Sequence, residues 1–274
     1  MSYVIYTGAF SIGWNYFDGL QQWQIYNLYN MQKYCDRHDI ELRVIDNSNK
    51  ELSSLFSYAR EKSNYKADSW NIATLSSIIA LNDFSKRNDD KFLWLDLDFV
   101  ITDHKLDIFK YIDEYHILIE LWYKTIFNEK KEKFFSYLNR YLPQNAQYIF
   151  PLLCYSGIFG CDTIRAKGII DFMHSHSVYP TYSFIDDMIE LYKGDKHFIS
   201  DECIMEFVCN NYAGSEGNGR INVPVNIKDY INIELVTEDN MDSVNAISDD
   251  FFGYHFASGS KINIPKFFRD NKLC

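Results

Sequence analysis

No stretch of this 274-residue sequence approaches the roughly 18 consecutive apolar residues that a membrane-spanning helix requires. The amino terminus also lacks a charged segment followed by an apolar one, the pattern of a secretory signal. These two absences predict a soluble, cytoplasmic chain with no transmembrane segment. Basic clustering is sparse as well. The longest cluster is Lys130, Lys131 and Lys133, in a chain with 27 basic against 38 acidic residues and a net charge of −11, which argues against a nucleic-acid surface. Six cysteines (Cys35, Cys154, Cys161, Cys203, Cys209 and Cys274) form no CxxC pair. Neither a zinc ribbon nor a thioredoxin-type site is therefore indicated, and reduced thiols in the core are expected. There is no internal repeat, low-complexity tract or interdomain linker, and at this length a single elaborated domain over 1–274 is expected.

Aromatic residues, by contrast, are plentiful, with 21 Tyr, 21 Phe and 5 Trp. Much of this must be core, but tyrosine and tryptophan also offer flat faces to sugars and nucleobases. Along the chain, Tyr3 to Tyr6 reads as a first strand that delivers Thr7-Gly8 to a ligand edge. Apolar residues at helical spacing (Trp23, Tyr26, Leu28, Met31, Tyr34, Cys35) predict a helix over Leu20 to His38. Glu41 to Asp46 is a second strand, and Ser69 is placed to cap a helix running through Leu81. The charged turn Lys86 to Lys91 then leads into Phe92 to Leu95, a third and buried strand. Strand, helix, strand, helix, strand is the rhythm of an α/β sheet, with ligands expected at the carboxyl ends of its strands.

The later half predicts strands at His116 to Ile119 and Leu152 to Phe159, with a charged helix around Asn128 to Tyr141 between them. Gly157 within the second of these suits either a bulge or the close approach of a ligand or backbone. A helix over Thr163 to His174, a tyrosine-rich loop, and a helix opening at Asp201-Glu202 behind a Ser200 cap follow. Gly214 to Gly219 reads as loop, and Pro224 and Pro265 as short extended pieces.

Three features carry chemistry. In KFLWLDLDFVITD, from Lys91 to Asp103, two carboxylates end an apolar strand. Alternation puts Asp96 and Asp98 on one side and Leu97 on the other, an arrangement suited to a hard divalent cation holding a phosphorylated ligand. Asp201-Glu202 opens an otherwise apolar helix, where acids also serve the helix dipole. YHFASGSK, from Tyr254 to Lys261, joins an imidazole to small residues and a lysine, the chemistry a diphosphate calls for.

Together these segments resemble the metal-dependent glycosyltransferases of the nucleotide-sugar-binding GT-A fold, specifically the glycogenin-like and lipopolysaccharide-galactosyltransferase-like retaining family and the galactomannan/xyloglucan transferase group. The resemblance implies a mixed, mostly parallel central sheet flanked by helices. It implies that residues 1–103 form a nucleotide-binding half, and 104–274 an acceptor-binding half with the C-terminal metal and diphosphate segment. It further implies Asp96, Asp98 and His255 as ligands of Mn²⁺ or Mg²⁺, with Asp96 also near the donor ribose. Lys261 is implied at the donor diphosphate with Gly259 in the same loop, and Thr7, Gly8 and Ala9 along the nucleotide base. Asp201 and Glu202 are implied beside the reacting sugar carbon, Glu202 standing where the family has Gln. The donor implied is a nucleotide sugar, most simply a UDP-sugar, and the acceptor a glycan or other hydroxyl.

The sequence departs from that pattern in places. Ser258 stands at a family glycine, Lys261-Ile262-Asn263 replaces a Lys-Pro-Trp ending, and near Trp70 and Asn71 no basic residue matches the one its relatives carry. Two other readings fit the aspartates. In a haloacid-dehalogenase-type phosphohydrolase Asp96 would attack phosphate and Asp98 would be the acid-base; the remaining alternative is a catalytically silent sugar-binding module. The aromatic and basic C-terminal segment PKFFRDNKLC also suits peripheral contact with a membrane surface.

Overall fold

The computed structural model describes residues 2–10, 19–63, 73–112, 116–122, 129–138, 153–192, 201–212, 223–237, 240, 244, 247–248, 250–256 and 258–273. Its centre is a six-stranded sheet. The strands are β1 (Tyr3–Ala9), β2 (Glu41–Asp46), β3 (Lys91–Leu95), β5 (His116–Trp122), β6 (Leu153–Asp162) and β7 (Val223–Asn226), in the order β2-β1-β3-β6-β5-β7. β1 pairs in parallel with β2 and β3, and β5 with β7, while β6 runs antiparallel to both β3 and β5. The expected α/β class, with a mixed and mostly parallel sheet, is observed.

Strand alternation sorts the side chains into two cores. Val4, Tyr6, Phe92 and Trp94 face one layer, packed by α2 (Lys50–Lys62), α3 (Ser76–Ser85), α4 (Glu129–Leu138), α5 (Thr163–Ser175), α6 (Tyr182–Leu191) and α7 (Asp201–Asn211). Ile5, Leu93 and Leu95 face the other, where α1 (Gln22–His38) packs with a smaller sheet. Burial on both faces is why the inner strands read as almost continuous apolar runs. The smaller sheet is β4 (Phe99–Ile101), β8 (Ile233–Val236) and β9 (Gly253–Phe256), in the order β4-β9-β8. A third cluster of Val100, Tyr254 and Phe256 joins it to α8 (Ile264–Asp270) through Phe267 and Phe268.

Several boundaries differ from expectation. β1 continues through Thr7 and Gly8 because its ladder to β2 runs on to Ala9 opposite Asp46. The helix expected to end at Leu81 is described from Ser76 to Ser85. Ser69 and Ser200, proposed as caps, and the Gly214 to Gly219 loop lie outside the described residues. The tyrosine-rich segment contains α6, whose first turn is capped by the Thr181 side chain accepting from the Phe184 N–H. Pro265 sits in the first turn of α8 rather than in an extended piece. That position has no intrahelical use for the missing N–H, so proline is tolerated there. Pro224 is extended as expected, on the edge strand β7. Cys35, Cys161, Cys203 and Cys209 are buried free thiols. No helix among the described residues is long and apolar enough to cross a membrane.

Candidate functional site

Asp96 and Asp98 occupy the turn between β3 and β4, where the chain leaves the main sheet for the small one. The turn is held on three sides by backbone. The Asp96 N–H donates to the Gly157 carbonyl of β6 at 2.8 Å, and the Phe99 N–H donates to the Asp96 carbonyl at 3.0 Å. The Asp98 carbonyl in turn accepts from the Phe256 N–H of β9 at 3.0 Å. α1 supplies two side-chain clamps. Asn27 Nδ2 donates to the Leu97 carbonyl at 2.7 Å, and Asn30 exchanges bonds with Ile101, donating at 3.0 Å and accepting at 2.9 Å. Asparagines three apart share one helix face, so a single face of α1 secures both ends of the acidic segment.

The antiparallel register of β4 with β9 sets Phe99 opposite His255, which delivers the imidazole to the carboxylates. His255 Nε2 lies 3.1 Å from Asp98 Oδ1, and Lys261 Nζ lies 2.6 Å from Asp98 Oδ2. Lys261 belongs to a 3₁₀ helix over Ser258–Asn263, so the segment expected as a flexible small-residue loop has regular structure; Gly259 is within it. Asp96 is tied differently. Its Oδ1 accepts from the indole Nε1 of Trp94 at 2.8 Å.

The electrostatics follow from burial and these partners. Burial pushes the Asp96 carboxyl up to about 6, with the charge of Asp98 adding to the rise. Burial acts the same way on Asp98, but the cationic His255 and Lys261 override it and hold that carboxyl well below the usual range. For His255 desolvation works against the charged form, and Asp98 more than compensates, so the imidazole binds its proton more tightly than usual.

Asp96, Asp98 and His255 each offer one ligand atom, and these atoms all lie within 4.8 Å of one another. Two carboxylate oxygens and an imidazole nitrogen at that separation fit a divalent ion of the Mn²⁺ or Mg²⁺ type, leaving further positions for ligand oxygens. The residue types and their convergence agree, so the expected metal fits this donor set.

The other expected site residues lie on other elements. Gly8 is linked to this centre through Trp94: a Cβ there would lie 2.7 Å from Ser76 Oγ, 2.9 Å from Phe10 Cε2 and 3.2 Å from Trp94 Cη2, so only a residue without a side chain fits unshifted. Thr7 and Ala9 point the opposite way by alternation and are buried. Asp201 is buried and anchored to α3, its Oδ2 accepting from Ser77 Oγ at 2.9 Å and its Oδ1 from the Glu202 N–H at 3.0 Å. Ser76 and Ser77, adjacent on α3, thus meet β1 on one side and α7 on the other.

Sequence reasoning missed four contributors. Trp94 read simply as strand core. Asn27 and Asn30 interrupt the apolar face of α1, and polar residues on such a face were the available signal. Glu120 directly follows the apolar run of β5, at a register shift against β6. It is buried, pairs with Lys228 Nζ at 2.6 Å, and its charge helps raise His255.

No protein-family model matches the sequence, and no curated protein matches it. Solved structures are similar over nearly the whole chain. One is a glycosyltransferase involved in glycosylation of the major capsid of PBCV-1, with 12% identity and a TM-score of 0.42, covering 97% of this chain and 99% of that one. Mouse xyloside xylosyltransferase 1 in its apo form has 9% identity and a TM-score of 0.46, covering 95% and 99%. The galactosyltransferase LgtC, in complex with donor and acceptor sugar analogs, has 11% identity and a TM-score of 0.42, covering 97% and 94%. Likeness of this degree is one of outline and defines no family.

Proposed function

We propose that the chain is a metal-dependent glycosyltransferase of the GT-A type. It would move a sugar from a nucleotide diphosphate donor, with a UDP-sugar the first to test, to a glycan or other hydroxyl acceptor, with retention of configuration. The observation that carries this reading is the convergence of His255 and Lys261 on Asp98, next to Asp96, at the carboxyl end of a parallel-sheet strand. A sugar–nucleotide bond breaks by departure of a diphosphate, so the main requirement is to stabilise negative charge on the leaving oxygens. A divalent ion held by Asp96, Asp98 and His255 supplies Lewis-acid stabilisation of that charge. Lys261 adds a second positive charge, and groups of this kind contribute roughly 10²-fold or more in rate. Thr7, Gly8 and Ala9 are assigned to the nucleotide base, in the half formed by residues 1–103.

Asp201 and Glu202 are assigned to the reacting sugar. Asp201 is held by Ser77, which suits a fixed orienting role, and the partly exposed Glu202 can stabilise cationic character at the sugar carbon. The acceptor proton passes to a leaving phosphate oxygen, and acceptor binding falls to residues 104–274. The reading places the reaction in the cytoplasm. The phosphohydrolase alternative asks Asp98 to donate a proton, whereas its two cationic partners keep it ionised.

The test is a thermal-shift screen of nucleotides with and without Mn²⁺, followed by assay of nucleotide release from the sugar that stabilises most. A bound donor raises stability by RT ln(1 + [L]/Kd). Stabilisation by a nucleoside diphosphate that needs Mn²⁺ and disappears in Asp96→Ala supports the assignment, and a flat response across the panel rejects it.

A further inference from the structure

We propose that Trp94 is the positioning residue of the metal site: its indole fixes the orientation of Asp96 and ties that carboxylate to the β1 edge at Gly8. The proposal rests on the reading of Asp96, Asp98 and His255 as cation ligands.

Alternation along β3 places Trp94 and Asp96 on one face of the strand, two residues apart. Trp94 is 2% exposed, locked in the ladder between Tyr6 of β1 and Phe159 of β6. Its Nε1–H reaches Asp96 Oδ1 at 2.8 Å. An indole N–H only donates and does not titrate in the accessible range. It therefore holds one Asp96 oxygen as an acceptor, and with that oxygen tied the plane of the carboxylate is set toward Asp98 and His255. A phenyl or phenol ring in this place has no donor at the indole nitrogen's position.

The benzo end of the same ring does something else. Trp94 Cη2 lies 3.2 Å from where a Gly8 side chain would begin. One rigid bicycle thus spans the distance from the β1 edge to the metal ligand, so that displacing one end displaces the other.

The measurement is Mn²⁺ affinity of the full chain, read from the electron paramagnetic resonance signal of free aqueous Mn²⁺, with thermal melting of the same samples as a control. Partners that orient metal ligands typically account for 10–100-fold in affinity. Trp94→Phe is expected to bind Mn²⁺ at least roughly 10-fold more weakly than the wild type. Replacing Trp94 by 3-benzothienylalanine keeps the shape of the ring and substitutes sulfur for N–H, and the same loss is expected, with melting lowered no further than in Trp94→Phe. Gly8→Ala, which crowds Ser76 and Phe10 as well as the ring, is expected to lower affinity in the same direction. Wild-type affinity in the benzothienyl protein overturns the proposal, whether or not Trp94→Phe is impaired, because packing alone would then be responsible. Failure of the wild type itself to bind Mn²⁺ instead overturns the underlying metal reading.

Discussion

Phe99 faces His255 across the β4–β9 ladder, and this register is what brings an imidazole from near the carboxyl terminus to within 3.1 Å of Asp98. A shift of one residue would turn His255 to the other face of the small sheet. The candidate metal site is thus a product of strand pairing as much as of side-chain identity.

Asp98→Asn keeps the shape of the side chain and removes the charge that His255 and Lys261 share. Removing one member of a buried ion pair typically costs about 3 kcal/mol. A loss of that order is expected in urea unfolding, together with loss of Mn²⁺-dependent stabilisation. A variant as stable as the wild type would contradict the pairing described.

Asn27→Ala leaves the buried Leu97 carbonyl without its donor. A loss of about 1–3 kcal/mol is expected, and metal affinity should fall with it because the acidic turn loosens. Asn30→Ala should behave alike through Ile101. Urea unfolding of both variants, paired with Mn²⁺ titration, checks the clamp.

Lys261→Met removes the ammonium without shortening the side chain much. Nucleoside diphosphate binding in the presence of Mn²⁺ is expected to weaken by roughly 10- to 100-fold, the loss of one charge-assisted hydrogen bond, with binding of Mn²⁺ alone largely kept. Isothermal titration of each ligand separates the two effects, and equal losses for both would assign Lys261 to the metal rather than the diphosphate.

The pH dependence has a definite sign. Asp96 and His255 both hold protons more tightly than usual, and both must release them to ligate a metal. Mn²⁺ affinity should therefore fall as pH drops from about 7.5 to about 5, with proton release on binding. In chelator-treated protein the two raised groups act the other way. Their stabilising effect is complete below their unfolded pKa values and is lost as pH rises through the folded ones. Calorimetric titration in buffers of different ionisation enthalpy measures the proton release, and none near pH 6 would contradict the raised Asp96.

Glu120→Gln removes the charge of the carboxylate that Lys228 meets. The double change with Lys228→Met should lose less than the two single changes added, because the buried carboxylate meets the partly exposed ammonium directly. A double-mutant cycle showing simple additivity would mean that the 2.6 Å contact contributes nothing.

Much of this arrangement could be read from the residues. Phe92 to Leu95 is apolar on both faces and ends in two charges, so the strand, its burial and its ligand-bearing end were visible together. Glu41–Asp46 matched its expected bounds for a similar reason, having turn-forming residues on either side. Contacts that depend on tertiary register were not visible. Nothing local marks Trp94 as a donor to Asp96, since the same indole would pack equally well with its nitrogen against a carbonyl. The Asn27 and Asn30 clamps needed knowledge that α1 crosses the acidic turn, and Ser77 as the partner of Asp201 needed the packing of α3 beside α7. Proline at 265 misled because its exclusion from helix interiors does not extend to the first turn.

The two parts of the candidate metal site are separated by on the order of 160 residues of chain, and this has a consequence for synthesis. At a translation rate of roughly 5–20 residues per second, Asp96 and Asp98 leave the ribosome about 8–30 s before His255 and Lys261. Through that interval the two carboxylates lack the imidazole and the ammonium that meet Asp98 in the fold, and the small sheet lacks the strand that would hold β4. The donor set of Asp96, Asp98 and His255 is therefore complete only in a chain that extends through β9.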